Sequence, residues 1–79
     1  HMGIRLLNKG TNKSALLVNG KEIFFSYDTP VAGWDDSGAF RTDEHYSPTT
    51  SKHINQYLRE TGGDSARTVS AADIEAMLD

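Results

Sequence analysis

The stretch "SALLVNGKEIFFSY", residues 14–27, decides the fold. Its Asn19-Gly20 pair stands between two apolar runs, and both residues accept the positive φ that a two-residue type I′ turn requires at each central position. A hairpin is therefore expected, with strands at residues 14–18 and 21–27 paired antiparallel. In the second strand Ile23, Phe25 and Tyr27 alternate with Phe24 and Ser26, which places the first three on one core face. Upstream, residues 4–7 form a short apolar run with one arginine. "NKGTNK" after it carries Asn8, Gly10 and Asn12, which favour close turns, so a strand and a turn precede the hairpin.

Downstream, Asp28-Thr29-Pro30 is expected to end the hairpin. Pro30 has no amide hydrogen for a ladder, and it forces Thr29 into an extended conformation. "VAGWDDSGAFRT", residues 31–42, reads as an irregular excursion anchored by Trp34, with a turn at residues 35–38 and a fourth strand at 39–42.

Two helices follow. In "YSPTTSKHINQYLRE", residues 46–60, Ile54, Tyr57 and Leu58 share a face at i, i+3 and i+4, and Gly62-Gly63 supplies the left-handed stop. One of Ser47, Thr49 or Thr50 is expected to cap the helix, with Pro48 tolerated at its first position. Farther on, Ser70 and Asp73 have capping-box spacing and Val69 and Ile74 that of a hydrophobic staple, while Ile74, Met77 and Leu78 repeat the apolar spacing. Helices this short do not persist alone in water, so both are expected to dock on the sheet. The expected fold is α+β, a small antiparallel sheet of three to four strands followed by two short helices packed on one face, in the order β-β-β-β-α-α.

The 79 residues suit one small domain, residues 4–79, after His1, Met2 and Gly3, which read as a cloning remnant. A domain of this size buries about 60% of the surface its unfolded chain exposes. With no cysteine there is no disulfide or thiolate metal site to supplement the core. No apolar run reaches the roughly 18 residues that a membrane helix needs, and no secretory signal is evident, so a soluble cytoplasmic protein without membrane contact is the expectation. The net charge of −3 opposes general attraction to phosphate backbones, yet it is segregated. Residues 4–27 hold Arg5, Lys9, Lys13 and Lys21 against Glu22, whereas residues 28–46 hold Asp28, Asp35, Asp36, Asp43 and Glu44 against Arg41.

Three surfaces compete for a role. Lys52, Asn55, Gln56 and Arg59 lie opposite the apolar stripe of the first helix and combine bases with amides, the groups that read phosphates and purine edges. Any solvated helix face has a similar composition, and Glu60 dilutes the charge. Asp35, Asp36, Asp43 and Glu44 suggest an acidic rim for a basic partner, with Trp34 as an interface anchor if it is exposed. Calcium-loop spacing is not met in "DDSGAFRTDE", so no metal is expected there. His53 with Ser51 or Thr50 would be needed for nucleophilic chemistry, but no strand-to-helix elbow and no orienting acid accompany them, so neither catalytic residues nor a cofactor are expected.

The blocks "VNGKEIFFSYDTPVAG", "FRTDEHYS" and "TTSKHINQYL" together resemble a small uncharacterised domain of tailed phages and of phage-derived regions of bacterial genomes. Its pattern is a strand ending F-S-Y-x-T-x-V-A, then a helix start Y-S-x-T-T-S-[KR]-H-I-N-x-[WY]-L, and the likeness spans residues 18–58. The resemblance implies a non-enzymatic phage accessory domain in the bacterial cytoplasm and supplies no catalytic residue. The leading expectation is binding of a host or phage macromolecule, most simply a protein, as in stoichiometric inhibition of an anti-phage system. The alternative is a nucleic-acid-binding module using Lys52, Asn55, Gln56 and Arg59, joined by Arg5, Lys9, Lys13 and Lys21 if the fold gathers them. An edge strand at residues 4–7 or 39–42 offers a route to a dimer.

Overall fold

The computed structural model describes residues 4–10 by their backbone, and residues 12–63 and 65–78 with side chains. Residues 1–3, read above as a cloning remnant, together with Thr11, Asp64 and Asp79, lie outside the described residues. The chain runs β1 (Ile4–Gly10), β2 (Lys13–Val18), β3 (Lys21–Ser26), β4 (Thr29–Asp35), β5 (Gly38–Thr42), α1 (Pro48–Thr61), β6 (Arg67–Val69) and α2 (Ala71–Ala76). The six strands of the described residues form one sheet in sequence order. The first five make an antiparallel meander, and β6 joins β5 in parallel. Parallel neighbours need a crossover, and α1 provides it.

The β2–β3 hairpin forms as expected. Asn19 and Gly20 have φ of 52° and 77°, and Val18 faces Lys21 across the turn. The sheet has more strands than the three to four expected, for two reasons. Residues 31–35 are regular strand, because Pro30 sits opposite Phe25 at a register shift, where a missing amide hydrogen is tolerated. Trp34 is accordingly a strand residue opposite Glu22 and Ala39, not a loop anchor. The second reason is β6, whose three residues are too few to show a period. Because β6 covers β5, residues 39–42 are not an edge strand, whereas β1 is an edge.

The helices also depart from expectation, since they cover opposite faces of the sheet. Ile54, Tyr57 and Leu58 of α1 pack with Phe24, Ala32 and Ala39. Ile74 of α2 packs with Val18, Ile23 and Phe40. Phe24 and Ile23 are consecutive, so these two clusters lie on the two sides of β3. A strand buried on both faces carries an unbroken apolar run, which is what "IFF" is. The single core face expected for Ile23 and Phe25 was thus half of the answer. Tyr27 leaves that alternation altogether, standing in the β3–β4 turn with φ of 58° and its amide bonded to the Asn12 carbonyl at 2.7 Å.

Helix α1 starts at Ser47, whose Oγ accepts the Thr50 amide hydrogen at 3.1 Å, and Pro48 occupies the first turn. It ends at Gly62 in the left-handed region, φ 79°. Ser70 caps α2 by accepting from the Asp73 amide at 3.1 Å. No helix of the described residues is long and apolar enough to cross a membrane.

Candidate functional site

The two faces of α1 differ in chemistry. Its inner face buries Ile54, Tyr57 and Leu58; its outer face exposes Lys52, Asn55 and Arg59, with Gln56 half-buried beside them. Pro48 and Ser51 complete a shallow open concavity along this outer face. The sheet adds two bases to it. Arg41 of β5 donates to Asn55 Oδ1 at 3.2 Å on one flank, and Lys13 of β2 donates to Gln56 Oε1 at 3.1 Å on the other. Lys13, Arg41, Lys52 and Arg59, drawn from three elements, therefore surround two amides. Gln56 Nε2 also donates to Glu60, an acid at the far end of the same face.

A chain of hydroxyls ties the start of α1 to the end of β3. Ser26 Oγ lies 3.2 Å from Thr50 Oγ1 and 2.8 Å from His53 Nδ1, and Ser47 Oγ donates to Thr50 Oγ1 at 3.2 Å. Ser26 and Thr50 are buried, and satisfying both removes the cost of placing bare hydroxyls in the core. Burial first, and then the charges of Lys13 and Lys52, hold the His53 pKa below the ordinary histidine value. The partner of His53 is thus Ser26, while Ser51 lies 3.4 Å from His45 Nδ1 on the surface. With Ser26 1% exposed, its hydroxyl is closed to an external carbonyl and acts as a tether for the imidazole.

The acidic residues are not gathered. Asp35 and Asp36 lie at the β4–β5 hairpin, and Asp43 and Glu44 follow the opposite end of β5. That strand's rise separates the two pairs by roughly 20 Å. Asp35 accepts from both terminal guanidinium nitrogens of Arg67, and this pairing is the main reason its carboxyl pKa falls below the usual range. Trp34 is half-buried, and its Nε1 donates to Thr61 Oγ1 at 2.9 Å, which fits a packing role between β4 and the last turn of α1. Among the described residues no three acidic or imidazole groups are placed to hold a metal ion.

The sequence reading found Lys52, Asn55, Gln56 and Arg59 through their helical spacing, and the structure puts all four on one outward side. Lys13, one of the further bases expected from the sequence, joins them, whereas no sequence signal points to Arg41, Ser26 or Tyr27 at this face. Their relation to α1 is set by strand register, and no local period encodes it. Arg5 and Lys9, considered as further bases, have no described side chains.

No curated protein and no solved structure matches the chain. Residues 5–76, nearly all of the sequence, match the family described as "Family of unknown function (DUF8033)", and the chain belongs to that family.

Proposed function

We propose that this chain is a non-enzymatic binding module whose contact surface is the outer face of α1, and that its ligand is nucleic acid. The observation that supports this reading is the convergence of Lys13, Arg41, Lys52 and Arg59 around Asn55 and Gln56. Bases meet phosphates, and side-chain amides offer paired donors and acceptors to base edges. A domain with net charge −3 needs its positive groups collected on one face to attract a polyanion, and its acids fall largely elsewhere: Asp36, Asp43 and Glu44 on β5's two ends, Asp73 and Glu75 on α2.

The test is binding of labelled DNA and RNA oligonucleotides across a salt series. Four phosphate contacts on a single strand give a log–log salt slope of about −3, and Lys52→Ala/Arg59→Ala should flatten it by about 1.4. Salt-independent binding, or none at low ionic strength, rejects the reading.

A second reading is a protein partner engaging the exposed Asp36, Asp43 and Glu44, with basic groups complementing them from the other side. It predicts capture from bacterial lysate that survives nuclease and the Lys52/Arg59 double substitution. Either reading fits a phage-derived accessory protein, the origin implied by the resemblance of its motifs, and inhibition of a host anti-phage system is the concrete form of the second.

A further inference from the structure

Tyr27 occupies a position that suits neither its backbone nor its side chain. With φ of 58°, it adopts the left-handed conformation that asparagine and glycine enter readily and bulky residues rarely do. The bond from its amide to Asn12 holds the turn, and any residue other than proline would supply that bond. The ring does not serve the core either, since Tyr27 is 50% exposed. Its aromatic neighbour is His53, with ring centroids 5.8 Å apart and planes inclined by 41°.

His53 is fixed in turn by Ser26 at Nδ1, and its lowered pKa leaves the ring uncharged at neutral pH. Two cations flank this aromatic pair. Lys52 precedes His53 on α1, and Lys13 reaches Gln56, the residue three positions beyond His53. The first turn of α1 contains no acidic residue and adjoins Ser26 through Thr50, so the positive end of the helix dipole lies alongside. The nearby acids are Asp28, next to Tyr27 in the turn, and Glu60, which lines one small cleft with Lys13 and His53.

We infer that Tyr27 and His53 form a stacking platform for an unpaired base, with Lys13 and Lys52 meeting the flanking phosphates, so that single-stranded nucleic acid is taken in preference to duplex. This rests on the nucleic-acid reading above and adds the strand state of the ligand. An exposed ring can stack only on a base whose face is open, and in a duplex both faces are occupied by neighbours.

Fluorescence anisotropy of the full chain tests this with one mixed sequence of about 12 nucleotides, a length that one small domain can span. The probe is made as single-stranded DNA, single-stranded RNA and duplex DNA, at about 50 mM salt, where phosphate contacts are little screened. The single strands should bind about tenfold or more tightly than the duplex. Tyr27→Asn should weaken single-strand binding by about tenfold, and Tyr27→Phe should retain it. Asparagine suits the left-handed turn, so Tyr27→Asn should melt no lower than the parent, which separates a lost ring from a lost fold. Duplex binding as tight as single-strand binding, or full binding by folded Tyr27→Asn, overturns the platform. If Lys52→Ala/Arg59→Ala still abolishes that binding, the helix-face reading survives. No binding of any probe overturns both.

Discussion

Helices α1 and α2 cover opposite faces of one sheet, and they are held to it by different means. α2 is six residues long, its one buried residue is Ile74, and that side chain meets Val18, Ile23 and Phe40. α1 has its own apolar cluster but adds polar ties to four strands: Lys13 in β2, Glu22 and Ser26 in β3, Trp34 in β4 and Arg41 in β5. A hydrogen bond exchanged with water contributes on the order of 1 kcal/mol net, so such ties are a modest source of stability. What they fix is geometry. Apolar contact tolerates small slides, whereas each donor–acceptor pair permits one register and one ring orientation. α2 therefore behaves as a lid over the core, and α1 as a positioned surface.

The sharpest way to break the comparison is to remove the anchor of α2. Ile74→Ala should cost about 2 to 5 kcal/mol, the usual range for emptying a fully buried isoleucine site. A domain of this length has a total stability of about 4 to 12 kcal/mol, so the urea midpoint should fall steeply. The outer face of α1 lies across the sheet, and oligonucleotide binding by the folded fraction should be unchanged. A loss well under 1 kcal/mol would mean that α2 does not seal that face in solution.

A smaller effect is expected from a single polar tie of α1. The Tyr57 ring stacks on Phe24 with centroids 4.3 Å apart and planes 14° from parallel, and its hydroxyl donates to the Glu22 carboxylate. Burial first, and then Glu22, raise the tyrosine pKa, so the hydroxyl stays a donor throughout the accessible pH range. Tyr57→Phe keeps the stack and deletes the donor. The expected loss is about 1 kcal/mol by urea unfolding, because half-buried Glu22 regains water in place of its partner. An unchanged midpoint would show that water already competes for that carboxylate.

What could be read in the sequence follows the same division. The Asn19-Gly20 turn, the cap Ser70, the stop at Gly62 and the stripe of Ile54, Tyr57 and Leu58 are local signals, and each lies where its chemistry requires; the sequence narrows the α1 cap only to three hydroxyls, of which Ser47 is the one used. The opposite placement of the helices is written in Ile23-Phe24-Phe25, whose run without alternation marks burial on both sides, whereas strict alternation assigns the core only one face. β6 is fixed by pairing with β5, which residues 67–69 cannot announce alone. The site divides likewise. Lys52, Asn55, Gln56 and Arg59 share a helical period, whereas Lys13 and Arg41 arrive through the registers of β2 with β3 and of β4 with β5. Period 2 misplaces Tyr27, because the strand ends at Ser26 and Tyr27 stands in a turn that its side chain does not favour.

The gentlest test concerns the imidazole that joins α1 to β3. The folded pKa of His53 lies below its ordinary value of 6.5, chiefly through burial. Between the two values the unfolded chain binds more protons than the folded one, so stability rises with pH. The contribution is complete above pH 6.5 and is lost as pH falls through the folded pKa. Asp35 has the same sign, but its window opens only below 3.8. Melting curves taken from neutral pH down to about pH 5 should therefore isolate the histidine. His53→Gln keeps a polar side chain near Ser26 and has no proton to gain, so its melting temperature should fall less over that interval than the parent's. Parallel pH profiles would mean that His53 titrates alike folded and unfolded, and the Ser26 contact would then not hold the ring out of water. A flattened profile with oligonucleotide binding weakened in the same variant would place the tether and the stacking surface on one side chain.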